Sequence, residues 1–270
     1  MDLGLAGKTA IVTGGGGAIC GAIAVSLAKD GARVAIWDIS EEAARSRAAA
    51  IRKEGGDARA MLCDAGDRES ATRALERTLA EFGGVDILVN GAGGSRPEAT
   101  TSSDLDFFSI GRQAMESVAG LNYLTAVVPS QIVGKVFRDS GTGVILNIAS
   151  IAGLRPLTRS VAYSAGKAAL ISFTQWLAVH MATVYSPRIR VNAIAPGILL
   201  SEQNRFLLMD QQTGNLTPRG RQILSHVPMG RLASTDDMTG AVLWLVSDQA
   251  AFVTGAIVPV DGGFSAYAGV

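Results

Sequence analysis

Short apolar segments alternate with longer helical segments along the whole chain, and this alternation restricts the possible folds more than any other feature. The short segments have the length and composition of buried strands. A repeated strand–helix order predicts an α/β fold: a doubly wound parallel sheet with helices on both faces. The predicted strands cover residues 8–13, 33–37, 58–62, 85–89, 143–149, 188–195 and 256–260; the predicted helices cover residues 22–29, 41–54, 68–82, 121–138, 160–185 and 235–247.

Two stretches are less regular than the rest. Residues 95–120 predict a loop plus a short helix. Residues 198–232 contain Pro218 and Pro228 among scattered polar and apolar residues, which is typical of a substrate loop or lid with one or two helices. The sequence has no repeat, linker or low-complexity tract. We therefore expect residues 1–270 to form a single domain.

Composition excludes several classes of protein. The formal net charge is zero and no basic run is present, which disfavours a nucleic-acid partner. No apolar segment approaches the roughly 20 residues of a membrane span, and residues 1–8 lack a signal pattern. The two cysteines, Cys20 and Cys63, do not make a disulfide framework, so a reducing, cytoplasmic setting is expected. His180 and His226 are far apart, and a metal site is not expected.

A glycine-rich turn, residues 14–21, joins the first strand to the first helix, and the second strand ends at Asp38. Glycines at such a turn let backbone N–H groups and the helix N-terminus approach a pyrophosphate. Asp38 can accept hydrogen bonds from both ribose hydroxyls of an adenosine, and it would repel a 2′-phosphate. Since no Lys or Arg lies in the turn or directly after Asp38, NAD is favoured over NADP. The alternative for Asp38 is a strand-end acid that caps the next helix.

Two more strand ends carry residues suited to a nucleotide. The Asp64 carboxylate can accept a hydrogen bond from an adenine amino group, or Asp64 can be a turn residue before Gly66. Asn90-Gly91-Ala92-Gly93 follows the fourth strand, where small residues allow a ligand to lie on the backbone. The alternative for this second motif is a plain turn.

The segment from Asn147 to Lys167 predicts the chemistry. An apolar strand ends at the hydroxyl of Ser150, and a helix beginning near Ser160 carries Tyr163 and Lys167. Positions i and i+4 share one face of a helix, so the phenol and the ammonium can meet. An ammonium beside a phenol favours the phenolate, which predicts a Tyr163 pKa below its usual value of about 10. Such a proton donor is suited to carbonyl reduction.

In order and spacing, these motifs resemble the short-chain dehydrogenase/reductase family over nearly the whole chain. The motifs are Thr13-Gly14-x-x-x-Ala18-Ile19, Asn90-Gly91-Ala92-Gly93, Ser150, Tyr163-x-x-x-Lys167 and Pro196-Gly197. Three positions depart from the usual pattern. Ala18 and Cys20 replace glycines of the cofactor turn, and Gly91 replaces the second asparagine of the usual Asn-Asn-Ala-Gly.

The resemblance implies a Rossmann fold and assigns four catalytic residues. Tyr163 is the general acid in reduction and the base in oxidation, and Lys167 lowers its pKa and bonds the nicotinamide ribose. Ser150 binds the substrate oxygen. Asn122 matches the asparagine that supports a proton-relay water; its alternative is a mid-helix polar residue that faces solvent. The implied cofactor-binding residues are Gly14, Gly17, Ala18, Ile19, Asp38, Asp64, Ala65, Asn90, Gly91, Ala92, Tyr163, Lys167, Pro196, Gly197 and Ile198.

The family resemblance also implies a homotetramer, built from the helices around Asn122 and Tyr163 and from the last strand. The sequence is consistent with a subunit contact at the helix that carries Tyr163. The helix predicted over 160–185 is apolar over more of its circumference than one buried face requires.

Residues 173–178, 201–205, 226–231 and 261–267 are similar to the D-mannonate oxidoreductase (fructuronate reductase) branch of the family. This similarity implies a sugar acid that is oxidised or reduced at a secondary alcohol. A carboxylate substrate requires a cation, best a forked one. The candidate substrate residues are Ser150, Arg155, Tyr163, Gln203, Asn204 and Arg205, with Arg96 and Arg159 as further loop arginines.

Other interpretations remain open at this point. Each arginine can equally be a solvated surface residue, and Gln203 and Asn204 can be polar lid surface. The substrate can instead be a neutral polyol, a ketose or a 3-oxoacyl compound. A protein that binds a nucleotide without turnover is disfavoured, because a pure binder does not need Ser150, Tyr163 and Lys167.

Overall fold

The fold is organised around a parallel sheet, as the strand–helix alternation predicts. The computed structural model describes residues 2–200, 205–210 and 212–269, without the side chains of residues 206 and 207. The strands are β1 (Thr9–Thr13), β2 (Arg33–Asp38), β3 (Asp57–Leu62), β4 (Ile87–Asn90), β5 (Gly143–Ile148), β6 (Ile189–Pro196) and β7 (Ile257–Val260). β1, β4 and β6 are buried along their whole length, which is characteristic of a sheet covered on both faces. The edge strands β3 and β7 are only partly buried.

The strand order is β3-β2-β1-β4-β5-β6-β7, and every pair is parallel. This is the doubly wound Rossmann arrangement, so the predicted fold class is confirmed. The order reverses between β1 and β4, and a crevice opens there at the carboxyl ends of the strands. Register places Thr13 beside Asn90 and Asn90 beside Asn147. The ends of β1, β4 and β5 therefore lie next to one another.

Successive residues of each strand contribute to two separate cores, one on each face of the sheet. On β1, Ala10 and Val12 pack into one core, and Ile11 packs into the other. On β2, Val34 and Trp37 are divided between the cores in the same way. This alternation explains why both faces of the sheet are covered by helices.

The helices broadly follow the predicted positions, with differences at their ends. They are α1 (Ala18–Lys29), α2 (Glu41–Lys53), α3 (Arg68–Phe82), α4 (Arg112–Leu121), α5 (Leu124–Ser140), α6 (Ile151–Leu154), α7 (Val161–His180), α8 (Arg205–Leu208), α9 (Pro218–Leu224) and α10 (Asp236–Val246). The first helix starts at Ala18 and not at residue 22, because Gly17 is its N-cap and the last glycine of the turn, Gly21, lies inside the helix. Helix α6 was not predicted.

The helix predicted over residues 121–138 is divided in the structure. Helix α4 ends with Asn122 as its C-cap, and α5 begins after Tyr123, whose backbone angles are not helical. Pro129 is tolerated inside α5. Asn122 therefore lies at a helix junction, and the alternative of a mid-helix residue facing solvent is wrong: its side chain is buried.

The helix predicted to end near residue 185 changes character before that point. Helix α7 ends at His180, and Met181–Tyr185 forms a π-helical turn. Thr235 occupies the N-cap position of α10, but its side chain makes no capping bond. Asp237 accepts the Ser234 N–H instead, at 2.7 Å.

A buried polar network ties together the strands that lead to the site. Asn90 Nδ2 donates to Asn147 Oδ1 at 2.9 Å and to Ser130 Oγ at 3.0 Å. Asn147 Nδ2 donates to Thr174 Oγ1 on α7 at 2.8 Å. Since an unmade bond of this kind is costly in a dry interior, the network fixes β4, β5 and α7 relative to one another.

No helix in the described part of the chain combines the length and apolar character needed to cross a membrane.

Candidate active site

Ser150 lies two residues beyond the end of β5 and is held by local geometry. It is the N-cap of α6, and its Oγ accepts the Ala152 N–H at 3.1 Å. The residue is buried. This capping bond occupies an acceptor lone pair of the hydroxyl and leaves its proton available to another acceptor.

Helix α7 carries Tyr163 and Lys167 on the face towards β5. Lys167 is only 5% exposed, and its Nζ donates to the Ile148 carbonyl at 2.7 Å. Nζ lies 5.8 Å from the centroid of the Tyr163 ring. The Ser150 side chain lies near enough to the Tyr163 phenol to lower its pKa by hydrogen bonding. The structure thus brings Ser150, Tyr163 and Lys167 together, as the spacing predicts.

The predicted lowering of the Tyr163 pKa is wrong. Burial raises the pKa of the Tyr163 phenol, and the interaction with Ser150 opposes this only in part. Burial also lowers the pKa of the Lys167 ammonium from 10.5 to about 8, with the nearby Cys20 acting in the opposite direction. Removing the phenol from water disfavours the phenolate more than the neighbouring groups favour it.

Asn122 holds the backbone of the loop after β4. Its Nδ2 donates to the Gly94 carbonyl at 2.7 Å and to the Val118 carbonyl at 2.8 Å, and its Oδ1 accepts the Gly94 N–H at 3.1 Å. A Cβ at Gly93 would lie 2.9 Å from Asn122 Oδ1 and 3.6 Å from Lys167 Nζ. Glycine at position 93 therefore lets the loop lie against both side chains.

A cavity of about 510 Å³ opens where the strand order reverses. Most of the predicted cofactor residues line it, and two carboxylates and one arginine are among the lining groups. The residues are Gly14, Gly16, Gly17, Ala18, Ile19, Cys20, Asp38, Ile39, Ala43, Cys63, Asp64, Ala65, Gly91, Ala92, Gly93, Arg96, Leu121 and Thr125. The many glycines leave room for a ligand to approach the backbone closely.

The glycine turn is held against the segment after β4. Thr13 Oγ1 accepts the N–H groups of Gly91 at 3.0 Å and Ala92 at 3.2 Å. Gly14 has φ +65°, and a Cβ there would lie 3.1 Å from the backbone of Ala92. Only glycine satisfies both the left-handed angle and this contact.

Asp38 contacts the turn directly. Its Oδ2 accepts the Gly16 N–H and its Oδ1 accepts the Ser40 N–H, both at 2.9 Å. Ser40, and not Asp38, is the N-cap of α2. Each carboxylate oxygen keeps a lone pair for a further donor, so Asp38 can still bind ribose hydroxyls. Asp64 is a turn residue, since its Oδ1 accepts the Gly66 N–H at 2.8 Å, and it also lines the cavity.

Cys20 and Gly91 are matched to one another. Cys20 is buried in the first turn of α1, and a Cβ placed at Gly91 would overlap its Sγ. Burial raises the pKa of the Cys20 thiol to about 12, so it behaves as a small apolar group. The two departures from the family motifs therefore compensate for each other: the glycine after β4 makes room for the larger residue in the turn.

The remaining predicted cofactor residues follow β6. Pro196 ends the strand, and Gly197 N–H donates to the Val260 carbonyl at 2.9 Å. A Cβ at Gly197 would lie 2.7 Å from Asp261 Cα. Ile198 lines a separate cavity of about 140 Å³ with Val227 and Met229.

The candidate substrate-binding residues do not all lie at one cavity. Arg155 and Arg205 are exposed and line neither of the cavities beside the site. Arg96 lines the cofactor cavity, and Arg159 lines a different cavity beside α7. Gln203 and Asn204 lie outside the described residues. Sequence reasoning did not name Thr125, which lines the cofactor cavity and whose Oγ1 donates to the Ala92 carbonyl at 2.8 Å.

Within the ranges that the structure describes, no three His, Cys, Asp or Glu side chains cluster as metal ligands would. Both cysteines are free and buried.

Comparison with known proteins identifies the family. A family model described as enoyl-(acyl carrier protein) reductase matches residues 16–265. The chain is 42% identical over 275 residues to the uncharacterized oxidoreductase UxuB of Bacillus subtilis, with 98% of each covered. It is 34% identical to the D-threitol dehydrogenase of Mycolicibacterium smegmatis, covering 98% of this chain and 95% of that protein. The crystal structure of a candidate D-mannonate oxidoreductase from Haemophilus influenza with bound NAD superposes with a TM-score of 0.91, at 41% identity and with 98% of each chain covered.

The chain belongs to the short-chain dehydrogenase/reductase family. It is an NAD(P)-dependent oxidoreductase that acts on CH–OH groups.

The contact between Cys20 and Gly91 yields a testable prediction. Gly91→Ala should lower the free energy of unfolding by about 1–3 kcal/mol, because the new methyl group overlaps the thiol, and it should weaken NADH binding. Cys20→Gly in the Gly91→Ala background should recover at least about 1 kcal/mol of this loss. Urea denaturation and NADH titration measure both effects.

Gly84→Ala is the matched control, since a Cβ at Gly84 meets nothing within 4 Å. Purely additive effects of the Cys20 and Gly91 substitutions would show that the two positions are independent.

Proposed function

We propose that this protein is an NAD-dependent oxidoreductase that interconverts a secondary alcohol and a ketone on a sugar acid of the D-mannonate/D-fructuronate type. The observation that carries the chemistry is the cluster of Ser150, Tyr163 and Lys167 beside a glycine-lined cavity. The substrate class rests on the similarity to the candidate D-mannonate oxidoreductase. The free, buried cysteines suit a reducing, cytoplasmic compartment.

The cavity fits a dinucleotide. The glycines of the turn after β1 and of the segment after β4 leave space that a Cβ would fill. Asp38 lies at the end of β2, and its carboxylate oxygens can accept further hydrogen bonds. We assign the adenosine ribose to Asp38, the adenine to Asp64 and Ala65, and the pyrophosphate to the start of α1. Lys167 bonds the nicotinamide ribose, and Pro196, Gly197 and Ile198 offer backbone groups to the carboxamide. When bound, the nicotinamide supplies or accepts the hydride.

Protein side chains supply the proton in reduction and remove it in oxidation. In reduction, the Ser150 hydroxyl donates a hydrogen bond to the substrate carbonyl oxygen, and Tyr163 gives that oxygen a proton as it becomes an alkoxide. Burial keeps the Tyr163 phenol protonated at neutral pH, which is the correct state for this step. An alkoxide is more basic than a phenolate, so the transfer is favourable despite the raised pKa. In oxidation, the same groups act in reverse.

Lys167 and Asn122 assist the proton transfer from Tyr163 without donating the proton themselves. The Lys167 ammonium stabilises negative charge on the phenol oxygen as the proton leaves. Asn122 fixes Gly94 through two hydrogen bonds and so holds the loop that borders the nicotinamide end. Support of a proton-relay water by Asn122 remains part of the proposal.

A neutral polyol is the second candidate substrate. The observation in its favour is the 34% identity to the D-threitol dehydrogenase over nearly the full length of both chains.

A substrate screen tests the proposed function. With NADH, we expect the highest kcat/KM on fructuronate or tagaturonate, compared with fructose, sorbose and an acetoacetyl thioester. Tyr163→Phe is the control: it should still bind NADH but lose turnover by at least about 100-fold, since it lacks the acidic proton. Absence of activity on every uronate would exclude the sugar-acid substrate, and near wild-type turnover by Tyr163→Phe would exclude the mechanism.

Cofactor choice tests the role of Asp38. NADH should be preferred to NADPH by about 100-fold, because the carboxylate faces a 2′-phosphate with a like charge. Asp38→Asn should reduce this preference, since the amide oxygen can still accept the Gly16 N–H but the charge is gone. Asp64→Asn, in the same cavity, should affect both cofactors equally. A wild-type preference for NADPH would contradict the assignment.

We further propose that copies of this chain assemble through α7, as a homotetramer. Its outer face carries Trp176 and Val179, which are 58% and 64% exposed. Rings stack along this face, with Phe173, Trp176 and His180 spaced by one turn and centroid separations of 6.5 and 4.8 Å. Such a continuous aromatic surface is typical of an interface, and a repeated helix face can pair with itself about a two-fold axis.

Sedimentation velocity tests this assembly. Val179→Glu should shift the protein to a smaller species, because it places a charge in the centre of the apolar face. Ala80→Glu adds the same charge to an exposed position on α3 and should leave the mass unchanged. A monomeric wild-type protein at micromolar concentration would rule out the assembly.

A further inference from the structure

Two supports hold the segment that follows β6. The first belongs to the sheet, since the Gly197 N–H donates to the Val260 carbonyl of β7 at 2.9 Å. The second is Ala233, whose N–H donates to the Ile198 carbonyl and whose carbonyl accepts the Leu200 N–H, both at 3.2 Å. Ala233 lies between α9 and α10, outside both helices and outside the seven-stranded sheet. The position of Ile198 therefore depends on what keeps Ala233 in place.

The residues on either side of Ala233 are bound to one carboxylate. Arg231 donates from Nη1 to Asp237 Oδ2 and from Nη2 to Asp237 Oδ1, both at 2.7 Å. The Ser234 N–H and the Ser234 hydroxyl donate to the same Oδ2, at 2.7 and 3.0 Å. A single side chain thus restrains the chain on both sides of Ala233.

Asp237 is carried by a firmly packed element. It lies in the first turn of α10, a helix that buries Met238, Val242 and Leu245 in one of the two cores. The hydrogen bonds from Arg231 hold the pKa of the Asp237 carboxyl well below its usual range, so the carboxylate stays charged at neutral pH. Half-exposed ion pairs contribute little to stability. A bidentate pair, however, fixes the relative position of its two partners.

The ion pair and Ile198 border the same small cavity. It has a volume of about 140 Å³ and is lined by Ile198, Arg231, Ala233 and Asp237, and by Asp261 in the turn after β7. The ion pair therefore lies directly behind the segment that follows β6.

We infer that Arg231 and Asp237 are positioning residues for the nicotinamide end of the cofactor. Through Ala233, their ion pair holds the Ile198 backbone where it can bind the carboxamide. This inference rests on the proposed function, which assigns the carboxamide to residues 196–198. Hydrogen bonds weaken steeply when their geometry is displaced, so a loosened backbone binds the carboxamide less well.

The affinities for two ligands test the inference. NADH contains the carboxamide, whereas ADP-ribose has the same adenosine and pyrophosphate but no nicotinamide. Asp237→Asn and Arg231→Gln should each raise the Kd for NADH about three- to tenfold, which corresponds to the loss of roughly one hydrogen bond. The Kd for ADP-ribose should not change. Fluorescence titration measures the first Kd, and isothermal titration calorimetry measures the second.

Asp139→Asn is the matched control. It makes the same substitution in the ion pair between Arg138 and Asp139, in the last turn of α5. This variant should keep both wild-type Kd values. The double variant Arg231→Gln/Asp237→Asn should bind NADH no more weakly than the weaker of the two single variants, because either change breaks the same pair.

The outcomes separate this inference from the proposed function. Wild-type protein that does not bind NADH would overturn the cofactor assignment and this inference with it. Wild-type affinity for NADH in both Arg231→Gln and Asp237→Asn would overturn the inference alone. An equal loss of affinity for NADH and ADP-ribose, or a lower Tm with unchanged Kd values, would make the pair a purely structural feature and would also overturn it.

Discussion

The cleft depends on how closely the backbone after β1 approaches the backbone after β4. Thr13 accepts two N–H groups from that segment, and left-handed Gly14 lies against Ala92 with no space for a side chain. Because β1, β4 and β5 are paired in register, this single contact also sets the position of the strand that leads to Ser150. The match between Cys20 and Gly91 belongs to the same contact, since a larger residue on one segment requires a smaller one on the other.

Burial, more than charge, determines the acid–base properties of the site. The Lys167 ammonium is taken out of water but keeps a carbonyl partner at Ile148, and its pKa falls to about 8. The Tyr163 phenol is buried next to it and has a raised pKa. A neutral phenol close to an ammonium is well prepared to give up a proton when an alkoxide forms, which suits the reductive direction.

The two halves of the site are built from different elements of the fold. The cofactor half consists of strand ends and a helix N-terminus, where backbone N–H groups donate to the side chains of Asp38 and Thr13. The elements proposed to hold the substrate include the 93–101 loop, in which the Asn122 side chain bonds the backbone of Gly94. A scaffold of this kind keeps hydride transfer constant while loops adapt to different alcohols.

The sequence by itself determined the α/β class, nearly all of the strands and the exact limits of α3, because these follow from local periodicity. It also determined the group of residues at the strand ends, because the ends of parallel strands meet at one edge of the sheet. It did not determine the direction of the Tyr163 pKa, the break between α4 and α5 at Asn122, or the contact between Cys20 and Gly91. Each of these depends on burial or on contacts between residues that are distant in the chain. Such properties arise only when the sheet and its helices pack, so only the tertiary structure decided them.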